Sequence, residues 1–514
     1  MRSFVCGVAF ILGVLLASGS GQICPDRPAP GSTVVDPFAV HSENGVAKLN
    51  LAVANYKDLN THAMFYCLAF AQGIEAPTIR VNPGDTISLN LVNRIVGLPT
   101  GPLMQMHAPI EDAACAGMMT PSSTNLHFHG LNVPPKCHQD EVIYTLVNPG
   151  DPPFHYQTKI PADEPPGLYW YHPHPHGITQ GQVMGGASGA IIVEGIEKIK
   201  PEVSGLTERV FIFRDVINNG DPDSGVMTFN FIPVNPPLLP LPAVQIGTNE
   251  RQFWRALNAQ GENFLKLQLR YNNKPQVVQV VSLDGTPLPS DVRTDTVFLP
   301  PAGRAEFIVQ GPSSSMVDAA MVTLAVNTGS DGDPNLAHAV AAIVVDGQPA
   351  SSKPAPLGEP EKVQRFAGLA GLTPVTQRKL YFSEDLSDPD HPKFFITVDG
   401  QEPKQFDPND PPAIVTKQGV VEDWTIENRS KEIHAFHMHQ IHYLLLARDG
   451  KRYKHPVLQD TTMVQPWSGS GPYPNIKVRM DFRYSESVGT FVYHCHILDH
   501  EDGGMMAKIE VDPK

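Results

Sequence analysis

Short runs in which apolar and polar residues alternate dominate this chain, and long 3.6-residue periodicity is nearly absent. In Thr78 to Val92, TIRVNPGDTISLNLV, the apolar residues Ile79, Val81, Ile87, Leu89 and Leu91 share one parity. That parity places them on one face of extended strands. Ala190 to Glu194 and Lys508 to Val511 are shorter runs of the same kind, and Pro, Gly, Asn or Asp bounds each of them. Such punctuation predicts an all-β protein of Greek-key β-sandwich domains.

Three segments repeat one pattern, a turn leading into an alternating strand that ends on asparagine. They are Val81 to Asn93, Ile246 to Asn258 and Gln418 to Asn428. Two strand ends repeat as well: Gly167-Leu-Tyr-Trp-Tyr-His-Pro-His174 matches Gly489-Thr-Phe-Val-Tyr-His-Cys-His496, with Pro173 where Cys495 stands. The middle counterpart, Val322 to Asn327, has no histidine. A chain of 514 residues exceeds what one core serves. Three consecutive related sandwiches are therefore expected at 22–195, 205–348 and 375–514, joined by a Pro-, Ala- and Ser-rich linker at 349–374. The middle one reads as a spacer.

Composition narrows the setting. A net charge of −15 argues for solubility and against nucleic acid as a partner. Residues 1–21, with one arginine before the apolar stretch from Phe4 to Ala17, read as a secretory signal peptide. No later run is long enough for a membrane anchor. A secreted, extracellular protein is expected, or a periplasmic one in a bacterium. Cys6 would leave with the signal, and Cys24, Cys67, Cys115 and Cys137 then suit two disulfides in an oxidising compartment. Three pairings are possible. Cys115–Cys137 with Cys24–Cys67 is favoured, because the first bond would brace the loop around His127. Asn428-Arg-Ser430 is a lone glycosylation sequon that reads equally well as an unmodified turn.

The candidate chemistry lies in residues 489–506, GTFVYHCHILDHEDGGMM. On a strand, Cys495 faces one way while His494 and His496 face the other. A thiolate, an imidazole from His500 and a weak thioether describe a blue-copper electron-transfer site. The two flanking histidines would serve something else. Three further clusters supply it: His127-Phe-His129, His172-Pro-His174 (extended by Pro175-His176) and His434-Ala-Phe-His437-Met-His439. One such pair is weak evidence. Four clusters, two in each outer domain, are not chance.

With these motifs in this order the chain resembles the multicopper oxidases, above all three-domain bacterial-type members, which share the HPH…H, HEDxGMM and HGLxVPP-like strings. The resemblance implies cupredoxin-like domains and four copper ions. It implies a type 1 copper on His434, Cys495 and His500 with Met505 as axial ligand, and a type 2 copper on His127 and His437. It implies a type 3 pair on His129, His172, His174, His439, His494 and His496. Glu501 and Asp140 match positions that supply protons, and dioxygen is the implied electron acceptor. The expected donor is a phenol or aromatic amine, as for a laccase, with Cu(I), Fe(II) or Mn(II) as the alternative. A copper-binding protein without turnover is the remote reading.

Three details qualify the resemblance. Ala435 stands where proline is usual and is expected to loosen the His434 loop. Met104, Met106, Met118 and Met119 form a sulfur-rich stretch that reads as packing before Cu(I) binding. The segment from Leu380 to Val415 lacks methionine, and Glu432 stands two residues before His434, which speaks against a copper-detoxification role.

Overall fold

The computed structural model describes residues 23–57, 64–71, 73–99, 101–104, 106, 112–218, 221–349 and 360–514. The expected signal peptide, His107 and residues 350–359 of the expected linker lie outside the described residues.

The described strands form six sheets that pair in chain order. In the first pair, a five-stranded sheet built around Val46–Lys57 and Thr86–Arg94 faces a four-stranded sheet ending in Gly189–Val193 and Gly167–Tyr171. Leu49, Val53, Leu89 and Leu91 of one share a core with Ile79, Val81, Ile191 and Tyr169 of the other. The turn at Pro83 and Gly84 thus sends the two halves of the Thr78 to Val92 run into different sheets: Thr78–Val81 belongs to the four-stranded sheet and Thr86–Arg94 to the five-stranded one. A seven- and a six-stranded sheet follow between residues 207 and 349, then a six- and a five-stranded sheet between 376 and 512.

The internal repeat occupies one structural position three times. Thr86–Arg94, Arg251–Ala259 and Val421–Asn428 each run parallel to an upstream strand, respectively Val46–Lys57, Thr207–Asn218 and Thr376–Asp385. Each also pairs antiparallel with a later strand. The asparagine that ends the third repeat, Asn428, is buried. Its Nδ2 donates to the carbonyls of Glu432 at 2.6 Å and Gln465 at 3.0 Å. No room is left for a glycan, so the sequon is a turn asparagine that anchors the loop before His434.

The disulfides are Cys24–Cys67 and Cys115–Cys137, the favoured pairing, and Cys495 is a free, buried thiol. No helix among the described residues is long and apolar enough to cross a membrane.

Candidate metal centres

The last sheet is ordered Ile414–Lys417, Met506–Asp512, Gly489–Cys495, His434–Met438, Thr461–Val464. Strand Gly489–Cys495 pairs with His434–Met438, so that His437 lies opposite His494 and Phe436 opposite Cys495. Beyond Cys495 the chain makes the short helix Leu498–Asp502 and turns through Gly504, whose φ of +106° suits glycine. It then returns as Met506–Asp512, with Met506 opposite His494. This loop folds His500 back onto the thiol, and it is held by hydrogen bonds from the Met505 N–H to the His500 carbonyl (2.8 Å) and from the Cys495 N–H to the Met505 carbonyl (3.1 Å).

One cluster forms around the sulfur. Cys495 Sγ lies 3.6 Å from His434 Nδ1 and 3.8 Å from His500 Nδ1, and those nitrogens are 3.2 Å apart. Met505 is fully buried next to them in sequence and fold. Burial opposes ionisation of the thiol, but the imidazoles of His434 and His500 outweigh it and bring Cys495 down to about 6. The outer nitrogens are held too. His434 Nε2 meets Ser430 Oγ at 2.8 Å and the buried Glu384 Oε1 at 3.1 Å, while His500 Nε2 meets Glu432 Oε2 at 3.3 Å. Carboxylates in that position fix ring orientation and raise ligand basicity. Glu384 carried no signal in the sequence.

Ala435 departs from the expected loosening. It sits inside strand His434–Met438, and its N–H points at Cys495 Sγ, 3.4 Å away. Proline has no such donor.

Eight histidines form a second cluster on the opposite face of the strand, as the parity of His494 and His496 requires. His174, His439 and His494 converge, with Nε2 of His494 3.4 Å from His174 Nε2 and 3.1 Å from His439 Nε2. His129, His172 and His496 form another trio, their ring centres 5.0–5.8 Å apart. His127 and His437 lie with ring centres 6.1 Å apart; His127 stacks on His439 and His129 on His437. Trp170 stacks on His172 at 4.2 Å and sets the second motif.

The protonation of these rings fits metal binding. Burial drives His127, His129, His437, His439 and His496 well below the ordinary imidazole range, helped by their neighbours, so they are neutral. Several have one nitrogen committed: His172 Nδ1 donates to the Pro173 carbonyl (2.8 Å), His437 Nδ1 to that of Asp460 (2.9 Å), and His127 Nδ1 to Asp140 (3.0 Å). In those three rings Nε2 is buried without a protein partner. A buried polar atom without a partner costs free energy, and neutral imidazoles with one nitrogen spare are what a transition metal ion takes.

The two acidic candidates flank this cluster. Asp140 also accepts from the Phe128 N–H at 2.7 Å, and burial pushes its carboxyl well above the usual range against that bond. Glu501 lies 3.1 Å from His494 Nδ1 and 3.5 Å from His174 Nε2. Burial would raise it, but His174 and His494 outweigh burial and hold it at about 2. His176 packs edge-on against Phe406, away from the trios. Met106 and Met119 share an apolar cluster with Val142, Tyr144 and Met506, which is the packing role expected of those two methionines.

Multicopper oxidase family models match residues 118–198 and 378–514. Among curated relatives, a multicopper oxidase of Staphylococcus aureus is 23% identical over 459 residues, covering 86% of this chain and 83% of that protein. A Bacillus subtilis laccase is 24% identical over 397 residues, covering 70% and 73%. Among solved structures, a Campylobacter jejuni multicopper oxidase described as a metallo-oxidase superposes with a TM-score of 0.70 at 21% identity, covering 95% of this chain and 96% of that one. The McoA multicopper oxidase of Aquifex aeolicus gives 0.70 at 19%, covering 94% and 99%. The motifs, the all-β fold of cupredoxin-like sandwiches and these likenesses agree: the chain belongs to the multicopper oxidase family and is a copper-dependent oxidoreductase.

Proposed function

We propose that this exported enzyme holds four coppers and oxidises a small metal cation, Fe(II) or Mn(II), at the expense of dioxygen. The type 1 ligands are His434, Cys495, His500 and Met505. The type 2 ligands are His127 and His437. The type 3 pair takes the trios His174, His439, His494 and His129, His172, His496. When bound, the coppers supply one-electron oxidation of the donor and four-electron reduction of dioxygen to water. Cys495 joins the two centres covalently through its neighbours His494 and His496, and Asp140 and Glu501 stand where protons enter the cluster.

The observation that carries the choice of donor is the surface over His500. Glu262, Asp333, Glu432 and Asp499 line a small cleft there, with Glu432 and Asp499 oxygens 3.3 and 3.7 Å from His500 Nε2. Its free space, about 30 Å³, admits an ion and not an aromatic ring, since pockets for drug-sized ligands run from about 300 Å³. Burial, with repulsion from Asp499 and Asp215, pushes Glu262 up to about 8, a strain that a cation relieves. Carboxylate oxygens suit Fe(II) and Mn(II) better than Cu(I), which prefers sulfur and imidazole. The other type 1 imidazole, His434, has its outer nitrogen against Glu384 and Ser430. Phenol oxidation, the expectation from sequence, becomes the second reading.

The test is steady-state oxidation of Fe(II), Mn(II), Cu(I) and a phenol by the parent and by Asp333→Asn combined with Glu262→Gln. The KM for the favoured cation should rise about tenfold or more, a loss of about 1.4 kcal/mol of binding shared by the two carboxylates removed, with phenol turnover unchanged. A parent that prefers phenol, or a variant that slows both donors alike, overturns the cation reading.

A further inference from the structure

The middle sandwich contributes none of the clustered histidines, yet one of its side chains reaches them. Arg304, at the start of strand Arg304–Gln310, is buried and forks onto Asp460 of the last sandwich: Nη1 to Oδ1 is 2.7 Å and Nη2 to Oδ2 is 2.5 Å. Its Nε donates to the Leu168 carbonyl of the first sandwich at 3.2 Å. Gly130, the residue after His129, packs so close that a Cβ there would come within 2.5 Å of Arg304 Nη2 and 2.7 Å of Asp460 Oδ2. Three sandwiches therefore meet on one ion pair.

Asp460 touches the histidine cluster twice. Its Oδ1 faces His129 Nε2 at 3.4 Å, and its carbonyl accepts the His437 Nδ1–H at 2.9 Å. The rings of His129 and His437 stack, with centres 3.9 Å apart and planes 12° apart. We propose that Arg304 and Asp460 form a positioning pair that selects which nitrogen each of these two rings offers to metal. The charge of the carboxylate, close to Nε2 without a formed hydrogen bond, favours the His129 proton there and frees Nδ1; the carbonyl keeps the His437 proton on Nδ1 and frees Nε2. A single residue thus presents opposite nitrogens of two stacked rings. Arg304 keeps that carboxylate charged and pinned in a place where an unpaired charge would be costly. Asp284, 3.7 Å from Arg304 Nη1, and His442, 3.5 Å from Asp460 Oδ2, complete the charged surroundings. The inference rests on the cluster reading above and makes the middle sandwich a working part of the metal centre.

Three variants test it: Arg304→Met, Asp460→Asn and the double variant. Copper per chain, the blue band of the Cys495 site and the electron paramagnetic resonance of the second-cluster copper are read on each. The histidine ¹⁵N shifts are read on copper-free protein. In the copper-free parent His129 should carry its proton on Nε2 and His437 on Nδ1, and Asp460→Asn should remove the His129 preference. Each single variant should lose about tenfold or more in cluster copper affinity and keep its blue band. The double variant should recover part of the thermal stability lost in either single variant, because the two paired charges leave together and only Asp284 loses a cation, without recovering copper affinity.

A double variant with parental affinity and spectrum would make the pair a structural tie and overturn the proposal. So would blue band and cluster copper lost in parallel, or a parent with the opposite tautomers. A parent that binds copper at the Cys495 site alone would instead refute the cluster reading, before any variant is compared.

Discussion

Ala435→Pro isolates one hydrogen bond at the proposed blue-copper site. The Ala435 N–H lies 3.4 Å from Cys495 Sγ, and proline removes that donor while changing little else. The carbonyl of residue 435 still accepts the His496 N–H at 2.7 Å. The preceding His434 lies in strand His434–Met438, and extended backbone is what a residue before proline requires. A hydrogen bond to a charged group contributes about 1.5–3 kcal/mol. The sulfur carries more negative charge when the copper is reduced, because it donates less to Cu(I) than to Cu(II), so the bond favours the reduced state. If half of its strength is differential, the bond is worth about 1 kcal/mol, or about 40 mV for a one-electron couple.

Ala435→Pro should therefore lower the reduction potential by about 40 mV, read by redox titration of the blue band. Ala435→Gly keeps the N–H and should leave the potential unchanged. A rise in the proline variant, no shift, or an equal fall in the glycine variant would refute the reasoning. Chains with proline here lack this donor, and the departure at Ala435 then tunes the site instead of loosening it.

Three further outcomes follow. Glu501→Gln should leave the blue band fully reducible without oxygen, yet slow oxygen consumption about a hundredfold; equal turnover would remove its proton-supply role. Glu164 is buried, which raises it to about 7 against the opposing pull of Arg365 and Asn132. The folded protein therefore holds a proton that the unfolded chain releases near pH 4.5. Stability should be greatest below that pH and fall by up to about 3 kcal/mol as pH rises through about 7; chemical denaturation at pH 5 and 8 should show this, and Glu164→Gln should flatten it. Replacing Cys115 and Cys137 by serine opens a cross-link spanning 22 residues and should cost about 3 kcal/mol in denaturant titrations.

How much of this was legible in sequence depends on chain distance. The alternation of Thr86 to Asn93 located a core strand, and the parity of His494, Cys495 and His496 assigned two faces, because a strand fixes the direction of each side chain from its neighbour. His500 and Met505 were within reach for the same local reason, since a short helix and two glycines return them to the sulfur. Glu384, Asp460 and Arg304 were not legible. Each meets its partner across a long stretch of chain, 156 residues for Arg304 and Asp460, and an isolated acid or arginine in a strand carries no periodic signal. The cleft over His500 hid likewise, because Glu262 and Asp333 come from one sandwich while Glu432 and Asp499 come from another. On the proposal above, the middle sandwich is more than the spacer its lack of histidine suggests, and Arg304 gave no sign of that in the sequence.

Copper removal tests how far the metal holds this arrangement together. His127, His129, His172, His437, His439 and His496 carry eight buried ring nitrogens with no hydrogen-bond partner. Each unsatisfied buried group costs about 1–3 kcal/mol, so together they approach about 10 kcal/mol, comparable with the whole stability of a typical protein. Water entering the cluster repays part of this, and copper repays it more fully through bonds to neutral imidazoles that need not first release a proton. The histidines come from the first and last sandwiches, so the same bonds tie those two together. Chelation should therefore lower the unfolding temperature and separate one transition into at least two in calorimetry, with the first and last sandwiches losing their common melting. Stoichiometric copper should restore a single transition. Identical thermograms with and without copper would show that protein contacts alone, the Arg304–Asp460 pair among them, hold the cluster in place.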